Sequence, residues 1–119
     1  MKVLIVEDSD DTREFMNLLL MMNGYIVVEA RDGQEAVDQA IFEKPDLILM
    51  DLNLPIMTGW EATRTIKRSP SMQHIPIIAV TANAHGEWKE AVLAAGAVDC
   101  LAKPIDNKKL LDTISSYNN

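Results

Sequence analysis

The sequence predicts an α/β fold: one domain, residues 1–119, built on a doubly wound, five-stranded parallel sheet in the order 2-1-3-4-5. Two observations and one rule of strand connection lead there. Short apolar runs alternate strictly with segments of helical periodicity. Runs such as "LIV", "LILM" and "IIAV" are continuous rather than alternating, which marks strands buried on both faces, as parallel strands are. Strands joined through helices also pair in parallel by right-handed crossovers. The strand order is chosen by analogy with folds of this size, and it makes the arrangement a flavodoxin-like (βα)5.

Each element follows from local signals. "KVLIVE" (Lys2 to Glu7) is a short run rich in β-branched residues. Asp10 is placed to cap a helix whose Phe15, Leu18, Leu19 and Met22 form an apolar face at i, i+3, i+4, i+7. Asn23-Gly24 stops it. "YIVVEA" reads as the second strand. Asp32 and Glu35 form an aspartate version of a capping box, opening a helix with Ala36, Val37, Ala40 and Ile41 inward, and Lys44-Pro45 ends it. "DLILMD" is the third strand. Thr58 and Glu61 make another capping box, for a helix running to about Ser69. "IPIIAVTA" is the fourth strand, followed by an Ala-rich helix from about His85 to Ala95 that Gly96 closes. "VDCLAK" is a short fifth strand, and Asn107 is placed to cap a last helix carrying Leu110, Leu111 and Ile114.

Composition narrows the function classes. A chain of 119 residues, 48% hydrophobic, supports one sizeable core. The net charge of −7, from 18 acids against 11 bases, repels nucleic acid and anionic membrane surfaces, so proteins or cations are the expected partners. The single cysteine, Cys100, excludes an internal disulfide framework and fits a reducing, cytoplasmic compartment. Lys2 leads directly into a strand-like run without a signal-peptide layout, and the apolar runs are too short for a helical membrane span.

Ligands of open α/β sheets bind outside the carboxyl ends of the strands, where the order reverses. Here strand 1 finishes in Glu7-Asp8, strand 3 in Asp51, strand 4 in Thr81 and strand 5 in Lys103, followed by Pro104. Singly, each is an ordinary turn, strand or edge residue. Together they bring three carboxylates, a hydroxyl and an ammonium to one edge. Close carboxylates repel unless compensated. Lys103 supplies one positive charge, and a divalent cation would supply the rest. An all-oxygen ligand set suits Mg²⁺ or Mn²⁺. His74 and His85 stand alone and read as surface or loop residues rather than ligands. Such a layout handles phosphoryl groups: Asp51 as nucleophile forming an acyl phosphate, the metal and Lys103 neutralising phosphoryl oxygens, Thr81 hydrogen-bonding the group once it arrives.

On "VEDS", "LMDLNLPIMTG", "VTAN" and "LAKP", the sequence resembles, over essentially its whole length, the receiver domain of two-component response regulators. The resemblance implies that Asp51 accepts a phosphoryl group from a histidine kinase or a histidine phosphotransfer protein. It implies that Asp8 and Asp51 bind Mg²⁺ by side chain, Asn53 by its backbone carbonyl and Glu7 through water, and that Thr81 and Lys103 contact the phosphoryl group. It also implies a cis Lys103-Pro104 bond, and a downstream protein target that reads the face of helix 4, strand 5 and helix 5. The protein would then be a signalling domain that catalyses only its own phosphorylation and dephosphorylation.

Two positions depart from the family's pattern. The Tyr or Phe common three residues before the lysine is Cys100, so the aromatic part of the usual switch is missing and space is left beneath Thr81. The frequent Asp before the third helix's Gly is Thr58, another capping residue. Coupling is therefore expected through Thr81 and the loop "TANAHGEW", with Trp88 on helix 4 as the readout. Cys100 reads as a small buried hydrophobe rather than a redox site. Trp60 fits the core and a partner surface equally, while Trp88 is the better surface candidate.

Two other classes fit less well. A Mg²⁺-dependent phosphatase with an aspartate nucleophile resembles a D-x-D signature after the first strand, whereas Asp51-Leu52-Asn53 has Asn there and lies on the third. A flavodoxin-like carrier needs hydroxyls and glycines after strand 1 to cradle a phosphate, and "EDSDD" repels one. The sequence stops soon after its fifth helix, which fits either a protein that works by docking alone or a receiver cut from a longer response regulator or hybrid histidine kinase.

Overall fold

The computed structural model describes residues 1–118. Strand and helix alternate as β1 (Lys2–Val6), α1 (Asp10–Met22), β2 (Ile26–Ala30), α2 (Gly33–Glu43), β3 (Leu47–Asp51), α3 (Gly59–Arg68), β4 (Ile77–Thr81), α4 (Gly86–Ala94), β5 (Asp99–Ala102) and α5 (Asn107–Ser116). All four strand pairings are parallel, and the order is β2-β1-β3-β4-β5, as expected.

The period of two along each strand divides the core into two faces. Ile5, Leu49 and Leu101 pack with Leu20 of α1 and Leu110 and Ile114 of α5. Val6, Ile48 and Met50 pack with Ala36 and Ala40 of α2 and Ile66 of α3. A smaller cluster under α4 joins Leu52, Ala79, Val92 and Cys100. Each fully buried Leu or Ile stabilises the fold by about 1.5–3 kcal/mol. The register aligns the carboxyl ends: Val6 pairs with Met50, Asp51 with Val80, and Thr81 with Ala102.

Helix ends differ from the sequence reading in instructive ways. Ser9, not Asp10, caps α1 by accepting from Thr12 N–H, and Asp106, not Asn107, caps α5 by accepting from Lys109 N–H. In both cases two adjacent residues can cap, and the chain starts its helix one residue later than the cap it selects. The Asp32 side chain accepts from Glu35 N–H, while the complete reciprocal box forms at Thr58 and Glu61. The buried face of α1 is Met16 and Leu20, with Leu19 beside it. Phe15, Leu18 and Met22 are more than half exposed, as is Ile41 of α2. "FMNLLLMM" supports two overlapping helical faces, and docking on β1 and β2 selects one.

Candidate functional site

Alternation along the strands also sorts the site residues. Glu7, Asp51 and Lys103 each lie two positions beyond a residue of the α1–α5 face, namely Ile5, Leu49 and Leu101. Their side chains meet. Lys103 Nζ lies 2.8 Å from Asp51 Oδ2 and 3.4 Å from Glu7 Oε1. Oxygens of Glu7, Asp8 and Asp51 lie within 4.8 Å of one another, with Asp8 exposed and the other two buried. Asp51 is 2% exposed, so the charge at the end of "LILMD" is held inside the protein rather than left in a solvated turn.

Each buried acid is supported locally. The Asn53 backbone N–H donates to Asp51 Oδ1 at 2.9 Å, and the Ser9 N–H donates to Glu7 Oε2 at 3.1 Å. Burial pushes the Glu7 carboxyl above its ordinary range. The Ser9 N–H and Lys103 oppose that rise, and the charge of Asp51 adds to it. For Lys103, burial acts to lower the pKa, but the hydrogen bond and charge of Asp51, with Glu7 beside it, outweigh burial and hold the ammonium above its usual range. One ammonium thus faces three carboxylates. The donor set is all oxygen, and its excess negative charge fits a hard divalent cation.

Asn53 is exposed, and its N–H already binds Asp51. The Lys103-Pro104 bond is cis, as the resemblance implied. Cys100 is buried at 6% exposure, in the cluster under α4, as a small core residue. Thr81 is buried, and because Asp51 pairs with Val80, alternation turns the next residue, Thr81, to the opposite face of the sheet. Its Oγ1 accepts from Asn83 N–H at 3.3 Å and from Trp88 Nε1–H at 3.2 Å. Trp88 is 44% exposed, yet its ring stands edge-on to Trp60 with centroids 5.5 Å apart.

Two supporting residues and one contact escape the sequence reading. Gly59 is one: a Cβ there would lie 2.0 Å from the Asp51 carbonyl oxygen, so only glycine lets α3 start against the end of β3. Arg13 is another, donating to the Glu7 carbonyl at 2.8 Å and to Glu29 Oε2 at 3.1 Å while pairing with Asp10. The Asp10-Arg13 spacing was the visible signal for it. The third is the Trp88–Thr81 bond, for which a separation of seven residues across a loop gives no local signal.

Comparison with known proteins gives consistent results. Residues 3–115 match the family described as the response regulator receiver domain. The polar-differentiation response regulator DivK of Brucella anthropi is 39% identical over 115 residues, covering 97% of this chain and 94% of that protein. The chemotaxis response regulator CheY4 of Vibrio cholerae superposes with a TM-score of 0.92 at 34% identity, over 98% of this chain and 97% of that one. The receiver domain of a sensor histidine kinase from Pseudomonas aeruginosa, whose structure has a magnesium ion coordinated in the active-site cleft, gives 0.89 at 37% identity, over 98% and 95%.

Proposed function

This chain belongs to the response regulator receiver domain family of two-component systems, and on that premise we propose that it signals by accepting a phosphoryl group on Asp51. Its family acts as signalling modules, not as enzymes on separate substrates. The observation that carries the proposal is the buried Asp51 carboxylate, 2.8 Å from Lys103 Nζ and inside a cluster of acids at the strand ends.

Transfer starts from a phosphohistidine. A carboxylate oxygen of Asp51 attacks phosphorus, the P–N bond breaks, and its electron pair returns to the imidazole nitrogen, leaving an acyl phosphate. Asn53 N–H and Lys103 orient the carboxylate for attack. Lys103 then stays beside the added phosphoryl oxygens, and the Thr81 hydroxyl turns to donate to one of them. Asp8 and Asp51 would hold Mg²⁺ or Mn²⁺ by side chain, with Asn53 offering its carbonyl and Glu7 acting through water. The ion would supply neutralisation of charge on the phosphoryl oxygens.

The donor is a cytoplasmic histidine kinase or histidine phosphotransfer protein. A groove beside the acids, lined by Phe15, Met16, Pro104 and Ile105, supports docking of its helix there. The response reaches a downstream protein through α4, β5 and α5. Among the described residues, no helix is long and apolar enough to cross a membrane.

The test is labelling with acetyl phosphate and mapping by mass spectrometry. One phosphoryl group on Asp51 is expected, dependent on Mg²⁺ and absent from Asp51→Asn. Labelling that persists in Asp51→Asn, or in excess chelator, overturns the proposal.

A further inference from the structure

Thr81 is engaged away from the acids. Its oxygen accepts from Asn83 N–H and from the Trp88 indole, whereas the Asp51 carboxylate accepts from Asn53 N–H and Lys103. The alternation of β4 explains the separation. Thr81 shares the face of Ala79, which packs under α4, while Asp51 shares the face of Leu49 against α1 and α5. The indole is itself braced, edge-on to Trp60 at an interplanar angle of 88°. Cys100 packs in the same cluster as Trp60 and Ala79 but offers no ring, so Trp88 is the aromatic side chain that holds Thr81.

Resting on the reading of Asp51 as the phosphoacceptor, we infer that Trp88 is a positioning residue that latches Thr81. Its indole N–H keeps the Thr81 hydroxyl on the α4 side until a phosphoryl group on Asp51 draws that hydroxyl across. The two engagements compete, so they are linked: whatever weakens the latch strengthens phosphoryl binding, and phosphoryl binding frees the indole. Helix α4 is built to respond. Val92 is its one fully buried residue, and His85 gives its start no side-chain cap. Gly86, at φ 56, connects the loop to the helix in a left-handed conformation. A freed Trp88 therefore leaves a lightly anchored helix able to shift, and the indole becomes available to a partner.

The experiment measures beryllofluoride binding, with Mg²⁺ present, by calorimetry. Trp88→Phe keeps a ring against Trp60 and removes only the N–H. Losing one neutral hydrogen bond from the resting state is expected to tighten binding about fivefold. In a Thr81→Ala background, Trp88→Phe is expected to change nothing, because the latched group is gone. Unchanged or weaker binding by Trp88→Phe overturns the latch, as does an equal gain in the Thr81→Ala background. A readout free of substitutions is the Trp88 indole N–H resonance of the wild-type protein, which must shift as beryllofluoride binds. Binding with that resonance unmoved overturns the latch alone. Failure of the wild-type protein to bind beryllofluoride overturns both the latch and the Asp51 reading.

Discussion

Cys100 illustrates how one residue's surroundings set its chemistry. It pairs with Ala79 of β4 and is packed under α4. Burial pushes its thiol above the ordinary range, Asp99 adds to the rise, and Lys89 opposes it. A raised thiol stays protonated at neutral pH and reacts slowly, which agrees with a packing role rather than a redox one. The sign of its contribution to stability follows. The folded chain keeps this proton at pH values where the unfolded chain has lost it, so stability is full below the ordinary thiol range and falls as pH rises toward the folded value. Chemical denaturation from neutral pH to about pH 10 should therefore show the wild type losing more stability than Cys100→Ala. Equal losses would mean that the thiol titrates alike in both states.

At the scale of an element, the start of α3 is where the site is most exposed to damage from a small change. Thr58 caps the helix with Glu61 in a reciprocal box, and the next residue, Gly59, sits against the Asp51 carbonyl. Adding a methyl group there forces α3 off the end of β3 or displaces Asp51 itself. Gly59→Ala should cost about 1–3 kcal/mol in urea denaturation, as overpacking does. It should also slow labelling of Asp51 by acetyl phosphate. Thr58→Ala should cost about 1 kcal/mol, as loss of a cap does, and leave labelling intact because the cap faces solvent rather than the acids. If Gly59→Ala labels at the wild-type rate, the contact is not what positions Asp51.

For the whole molecule, charge is the governing quantity. A net charge of −7, with three carboxylates gathered at one edge beside a single close lysine, leaves the metal-free fold under self-repulsion. Mg²⁺ bound to the native state alone would raise stability by about RT ln(1 + [L]/Kd), or about 2.7 kcal/mol at a hundredfold excess over Kd. The melting temperature should therefore rise with Mg²⁺. Asp8→Ala should abolish that rise while leaving the core unchanged, since Asp8 is exposed and its side chain packs in none of the core clusters. A wild-type melting temperature indifferent to Mg²⁺ would argue against a cation site among these acids.

The sequence by itself determined the alternation of elements, the parallel sheet and the set of residues at the strand ends. Those properties are local: continuous apolar runs, capping pairs and turn glycines are read within a few residues. Strand order was inferred from analogy, and pairing across the sheet decided it. Local chemistry also left choices open. Ser9 or Asp10 can cap α1, and "FMNLLLMM" offers more than one buried face, so docking against β1 and β2 made the selection. Asp51, Glu7 and Lys103 were legible as a group because strand ends converge in this topology. The Gly59 contact with Asp51 and the hydrogen bond from Trp88 to Thr81 were not. Both depend on how α3 and α4 seat on the sheet, and that seating is set by packing between elements distant in sequence, where no spacing rule reaches.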